Sequence, residues 1–122
     1  MPGCGLDSTT KNIFQCYNAT KVDLEQDLKL LNLSYVDLVI LHFPPISSMI
    51  TRSCNSWSGG CAMVRAQWKA MMEFYAEKKA RAIGVSNYCP SCYECLESDN
   101  VTVMPMVNQV RCSVLGALVL QR

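Results

Sequence analysis

The sequence predicts an α/β fold built on a parallel sheet, and three observations carry that prediction. "YVDLVIL" at residues 35–41 is β-branched and apolar on both faces apart from Asp37, the pattern of a strand covered on both sides. Two further short apolar runs follow it, at 82–85 and 106–110. Segments of helical period separate them, most clearly where Trp68, Met71, Met72 and Tyr75 recur at i, i+3, i+4 and i+7. Alternation at this spacing builds βα units joined by right-handed crossovers.

Each element has its own signal. Residues 19–31 place Leu24, Leu28 and Leu31 on one helical face, with Thr20 and Asp23 as start signals. The strand at 35–41 ends in His42, and residues 45–62, rich in Ser, Gly and Thr, form a long polar loop. A helix over 63–79 buries its Met63, Trp68, Met71 and Met72 stripe in the core. It closes with Lys78 and Lys79, cations suited to a helix C-terminus. The strand at 82–85 runs into Ser86 and Asn87, and 89–98 predicts a third helix with Pro90 tolerated in its first turn. The last strand, 106–110, carries the Asn108-Gln109 pair. Asp37 and Arg81 fall near the N-terminal, structural side of their strands. Three such strands are too few to close a barrel.

At 122 residues the chain is at most one domain, read as 1–122. Half the residues are hydrophobic and the net charge is +1, so neither a nucleic-acid-binding surface nor an acidic disordered tail is expected. The apolar run at 114–120 is too short to span a bilayer, and "MPGCGLDSTT" has no charged or apolar region of a secretory signal. A soluble, cytoplasmic chain is the expectation. Eight cysteines and sequons at Asn18, Asn32 and Asn100 would suit a secreted disulfide scaffold instead, but strands this apolar need no staples. Cys89, Cys92 and Cys95 form two overlapping C-x2-C units. A bacterial-type iron–sulfur motif would want a further cysteine where Asp99 stands, so no metal site is expected. Cys54 and Cys61, flanking the Gly-rich loop, are expected as thiols that could pair with each other under oxidation.

In parallel α/β folds the chemistry collects where loops leave the C-terminal ends of the strands. Here those ends carry His42, then Ser86 and Asn87, then Asn108 and Gln109. Amides and hydroxyls offer donors and acceptors without charge, suited to a neutral carboxamide or carbonyl. The alternative is that Ser86 and Asn87 merely cap the following helix.

"LSYVDLVILHFP" (33–44), "ARAIGVSNY" (80–88) and "PMVNQVRC" (105–112), with the Trp68 helix between them, resemble the aldo-keto reductase superfamily over roughly residues 17–112. The resemblance implies an NADP-dependent oxidoreductase domain that is part of a (β/α)8 TIM barrel, about three to four βα units, whose strands are the family's fourth, fifth and sixth. It implies an enzyme that reduces aldehydes and ketones to alcohols with NADPH, or NADH. His42 matches the histidine of the family's Asp-Tyr-Lys-His set, which orients the substrate carbonyl, and Ser86, Asn87 and Gln109 match the side chains that hold the nicotinamide carboxamide. Lys11, in "STTK", lies 31 residues before His42, close to the family's interval for the lysine. A solvated surface lysine fits that position equally well. The aspartate and the tyrosine have no counterpart. After Gln109 the family usually continues Val/Ile-Glu-x-His-Pro, whereas this chain reads Val110-Arg111-Cys112-Ser113-Val114, and the last two barrel units are not matched. Two functions are therefore carried forward. One is a carbonyl reductase acting on a small molecule in its complete form. The other is a catalytically inactive barrel fragment, a binding or assembly module that self-associates through open sheet edges.

Overall fold

The computed structural model describes residues 13–45, 54–55 and 59–110. The chain forms α1 (Ile13–Leu31), β1 (Val36–Leu41), α2 (Gly60–Ala76), β2 (Ala80–Ser86), α3 (Pro90–Glu94) and β3 (Asn108–Gln109). The order of helices and strands is the one the periodicity predicts. The three strands are parallel in the order β1-β2-β3, with Val36 beside Ala80 and Leu41 beside Val85.

Element ends depart from the sequence reading for local reasons. α1 begins at Ile13, well before Thr20, whose hydroxyl donates to the Cys16 carbonyl at 2.8 Å from inside the helix. Leu24 and Leu28 are buried, but Leu31 is 60% exposed because the helix ends there. Asn32 takes a left-handed φ of 54°, and the Leu33 N–H donates back to the Leu28 carbonyl, a Schellman closure. α2 closes in the same way. Lys78 (φ 63°) and Lys79 donate to the Tyr75 and Phe74 carbonyls, so the two lysines are the terminating turn and lie outside the helix. α3 is one short turned segment, not a helix to 98.

The helices cover one face of the sheet. Val39 and Leu41 of β1 and Ile83 and Val85 of β2 point to the same side by strand alternation, and pack with Leu24, Leu28, Trp68, Met71 and Phe74. The opposite face is open at β1, where Leu38 is 46% exposed. β1 is thus covered on one side, not on both. Trp68 is wholly buried and its indole N–H donates to the Val103 carbonyl at 2.8 Å, which ties α2 to the segment entering β3.

The cysteines behave differently from the expectation. Cys54 pairs with Cys92 and Cys61 with Cys95, so each crosses to the α3 region instead of to the other. Cys16 is also disulfide-bonded. Arg65 adds a hydrogen bond to the Cys95 carbonyl at 3.1 Å. Asp37 and Arg81 meet at 3.3 Å at the start of β1 and β2, both well exposed, as befits a minor structural pair. Among the described residues no helix is long and apolar enough to cross a membrane.

Candidate functional site

Parallel register decides what the strand ends share. Leu41 lies beside Val85, and Ser86 beside Gln109, so the three chains leave the sheet side by side. The residues at that rim are His42, Ser86, Asn87, Asn108 and Gln109.

Ser86 is buried, and its hydroxyl donates to the Gln109 backbone carbonyl at 2.6 Å. The Asn87 backbone N–H reaches the same carbonyl at 3.1 Å. Asn87 itself has φ 58°, in the left-handed region that asparagine tolerates better than most residues. That turn swings its side chain back over the sheet. Its amide nitrogen donates to Ser86 Oγ at 3.1 Å and to the His42 backbone carbonyl at 3.0 Å. One side chain therefore spans the exits of β1 and β2, and Ser86 passes the link to β3.

The capping alternative fails on this geometry. The N-cap of α3 is Cys89, with no side-chain cap bond, and neither Ser86 nor Asn87 serves it. Their bonds run laterally, to carbonyls at the neighbouring strand ends. His42 and Gln109 present exposed side chains, the imidazole resting against Phe43 with ring centroids 4.2 Å apart. All four of these predicted residues thus meet at one rim. Lys11 lies outside the described residues.

Two further residues shape the rim: Asn108, which the sequence places there without a role, and Gly84, which it does not single out. Asn108 exchanges hydrogen bonds with the Tyr88 backbone, accepting its N–H at 3.3 Å and donating to its carbonyl at 2.9 Å. Its carboxamide stands in for the next rung of the ladder. Gly84 lets β3 approach: a Cβ there would lie 2.4 Å from Val107 Cγ1 and 2.8 Å from the Val107 carbonyl oxygen. A glycine inside an apolar strand is the signal for such an approach. Tyr88 turns inward from the rim, and burial pushes the pKa of its hydroxyl far above the ordinary tyrosine value.

The set offers hydrogen bonds without formal charge, plus one exposed imidazole. With both amide hydrogens of Asn87 donated to Ser86 and His42, a planar carboxamide can meet the Asn87 oxygen as acceptor and the Gln109 side chain as donor and acceptor. A carbonyl oxygen nearby can accept from the imidazole.

The aldo/keto reductase family model matches residues 17–121, running past Cys112 into the tail that the motifs did not cover. The chain is 37% identical over 105 residues to a 9,11-endoperoxide prostaglandin H2 reductase of Trypanosoma cruzi, covering 84% of this chain and 31% of that protein. It is 33% identical over 105 residues to a glyoxal reductase of Bacillus subtilis, with 86% and 32% coverage. Among solved structures, an aldo-keto reductase enzyme from a Medee basin deep-sea metagenome library matches with TM-score 0.60 at 31% identity, over 79% of this chain and 30% of that one. An aldo/keto reductase from Brucella melitensis matches with TM-score 0.62 at 27% identity, with 79% and 32% coverage. The chain thus spans about a third of the length of the relatives it matches. The three parallel strands and their helices are part of the (β/α)8 barrel of these structures.

Proposed function

The chain belongs to the aldo/keto reductase family, and from that premise we propose that it supplies the middle of a carbonyl-reducing site. Asn87 and Gln109 hold the carboxamide of NADPH or NADH, Ser86 fixes Asn87, and His42 addresses the carbonyl of a small aldehyde or ketone. The observation that carries this reading is the lateral Ser86–Asn87 network, which buries a hydroxyl and turns a carboxamide along the rim instead of capping α3.

The bound cofactor would supply the hydride. Everything asked of these residues is positioning: fixing the carboxamide orients the ring, and so decides which face meets the substrate. Asn87 is suited to this because its left-handed backbone and two donated hydrogen bonds leave its side chain little freedom. His42 sits on a different strand exit, so substrate and cofactor can be addressed by separate groups. Turnover also needs a proton donor to the carbonyl oxygen, a role this proposal gives to no described residue.

The test is an NMR titration of the isotope-labelled chain with NADPH, with 2′,5′-ADP, which lacks nicotinamide, as control. The reading expects NADPH to shift the Asn87 and Gln109 side-chain amide signals and the control to leave them in place. Equal shifts with both ligands, or none with NADPH at millimolar concentration, would overturn it.

A second reading, assembly, rests on the sheet edges. Among the described residues neither β1 nor β3 has a strand on its outer side, and Leu38 on the open face of β1 and Met106, Val107 and Val110 flanking β3 are exposed. Analytical ultracentrifugation decides it: concentration-dependent association supports this reading, and a stable monomer up to high micromolar concentration removes it.

A further inference from the structure

Cys54 and Cys61 meet the C-x2-C-x2-C run in space, and the carbonyl-reducing reading uses none of these cysteines. Cys92 and Cys95 are bonded to Cys54 and Cys61. Cys89 remains a thiol, half-buried, with its sulfur 3.2 Å from that of Cys92. The sulfurs of Cys54, Cys89 and Cys92 all lie within 4.8 Å of one another. Ser91 sits among them: its hydroxyl oxygen accepts the Cys54 backbone N–H at 3.0 Å and lies 3.0 Å from the Cys89 sulfur. With an acceptor lone pair engaged by Cys54, the Ser91 O–H can donate to sulfur.

We propose that Cys89 is the exchange thiol of a three-sulfur relay, which trades the Cys54–Cys92 disulfide for a Cys89–Cys92 disulfide within the folded chain. Cys89 gives its proton to water, and its thiolate attacks the Cys92 sulfur. The Cys89–Cys92 bond forms as the Cys92–Cys54 bond breaks, and the electron pair leaves on the Cys54 sulfur, which takes up a proton. No net oxidation or reduction occurs, so no external oxidant or reductant is required. The two partners already touch, and the Cys92 N–H donates to the Cys89 carbonyl at 2.9 Å across the turn that joins them. Ser91 is a positioning residue, placing Cys89 beside the bond it attacks. The consequence is mechanical. In one isomer Cys54 is covalently tied to α3, and in the other that tie is gone while Cys61–Cys95 keeps α2 attached.

The experiment uses the full chain, purified without reductant, incubated at mildly alkaline pH, then alkylated in excess, digested and mapped by mass spectrometry. The relay predicts alkylation at Cys54 as well as Cys89, together with a peptide holding an internal Cys89–Cys92 disulfide. In Cys89→Ser the Cys54 label should fall about tenfold or more, since its attacking thiol is lost. In Ser91→Ala the label should reach Cys54 more slowly at unchanged final distribution. Alkylation confined to Cys89, Cys54 labelling that persists in Cys89→Ser, or one zinc per chain lost on Cys54→Ser would each overturn the relay.

Discussion

Replacing Gly84 by alanine puts a methyl group where β3 passes. The added carbon would sit 2.4 Å from Val107 Cγ1 and 2.8 Å from the Val107 carbonyl oxygen. Rotation of the valine relieves the first contact, but the second is with backbone that accepts the Val85 N–H at 2.9 Å. β3 must therefore move outward, straining that bond and the Met106 N–H bond to the Ile83 carbonyl, also 2.9 Å. Overpacking costs about 1–3 kcal/mol and each of the two weakened ladder bonds about 1 kcal/mol, so a loss of roughly 3–5 kcal/mol is expected. The assay is urea unfolding followed by circular dichroism, with hydrogen exchange at the Val85 and Met106 amides. A double-mutant cycle with Val107→Ala should recover only part of the loss, because the carbonyl contact survives. An unchanged unfolding midpoint with both amides still protected would refute the claim that Gly84 sets the β2–β3 approach.

Two further perturbations probe the helices that hold the sheet. Glu73 accepts hydrogen bonds from Tyr17 at 2.5 Å and Lys21 at 3.0 Å, and these lower its carboxyl pKa below the ordinary glutamate value, the Tyr17 bond contributing most. A depressed carboxylate contributes stability that is present above its unfolded pKa and lost as pH falls through its folded one. Unfolding midpoints measured below roughly pH 4.3, the unperturbed glutamate value, should therefore drop less steeply in Glu73→Gln than in the parent, by a small margin because the cluster is partly solvated. Parallel curves for the two proteins would contradict this. Trp68→Phe removes the indole donor to the Val103 carbonyl and leaves a gap in the core, so it should cost about 1–3 kcal/mol in the same unfolding assay. A loss confined to a few tenths would mean that α2 and the segment before β3 are not tied there.

What was legible in the sequence follows from what each signal measures. The 3.6- and 2-residue periods report burial, so they located α1, α2 and the strands and their order, and β-branched "YVDLVIL" became β1 as its composition requires. Burial says less about ends. α1 and α2 stop at left-handed Asn32 and Lys78, where a backbone turn and not an apolar residue decides, and lysine is an unusual choice for that conformation. Covering on one face or two was misjudged at β1, because an apolar strand does not say what lies against it. At the rim, strand-end polarity marks His42, Ser86, Asn87, Asn108 and Gln109, whose ends the parallel register brings together, and the family resemblance narrows them to His42, Ser86, Asn87 and Gln109. The lateral bonds of Asn87 were invisible, for they depend on its left-handed backbone. The disulfide pairs were also beyond reach: eight cysteines allow 105 complete connectivities, and only the fold shows that Cys54 and Cys61 lie against the α3 region.

The central claim is that Asn87 and Gln109 address a nicotinamide carboxamide while His42 addresses a substrate carbonyl. The direct measurement replaces the matching stretch of the Bacillus subtilis glyoxal reductase with residues 17–110 of this chain, and follows NADPH fluorescence titration beside steady-state kinetics. Asn87→Gly keeps the left-handed turn and removes the carboxamide, so it isolates the hydrogen bonds from backbone strain. It is expected to weaken NADPH binding by about 1–3 kcal/mol, or roughly 5- to 150-fold. His42→Ala should leave cofactor affinity nearly unchanged and lower kcat. If Asn87→Gly binds NADPH as tightly as the parent chimera, the Ser86–Asn87 network only fastens the strand ends together and the account of the rim is wrong.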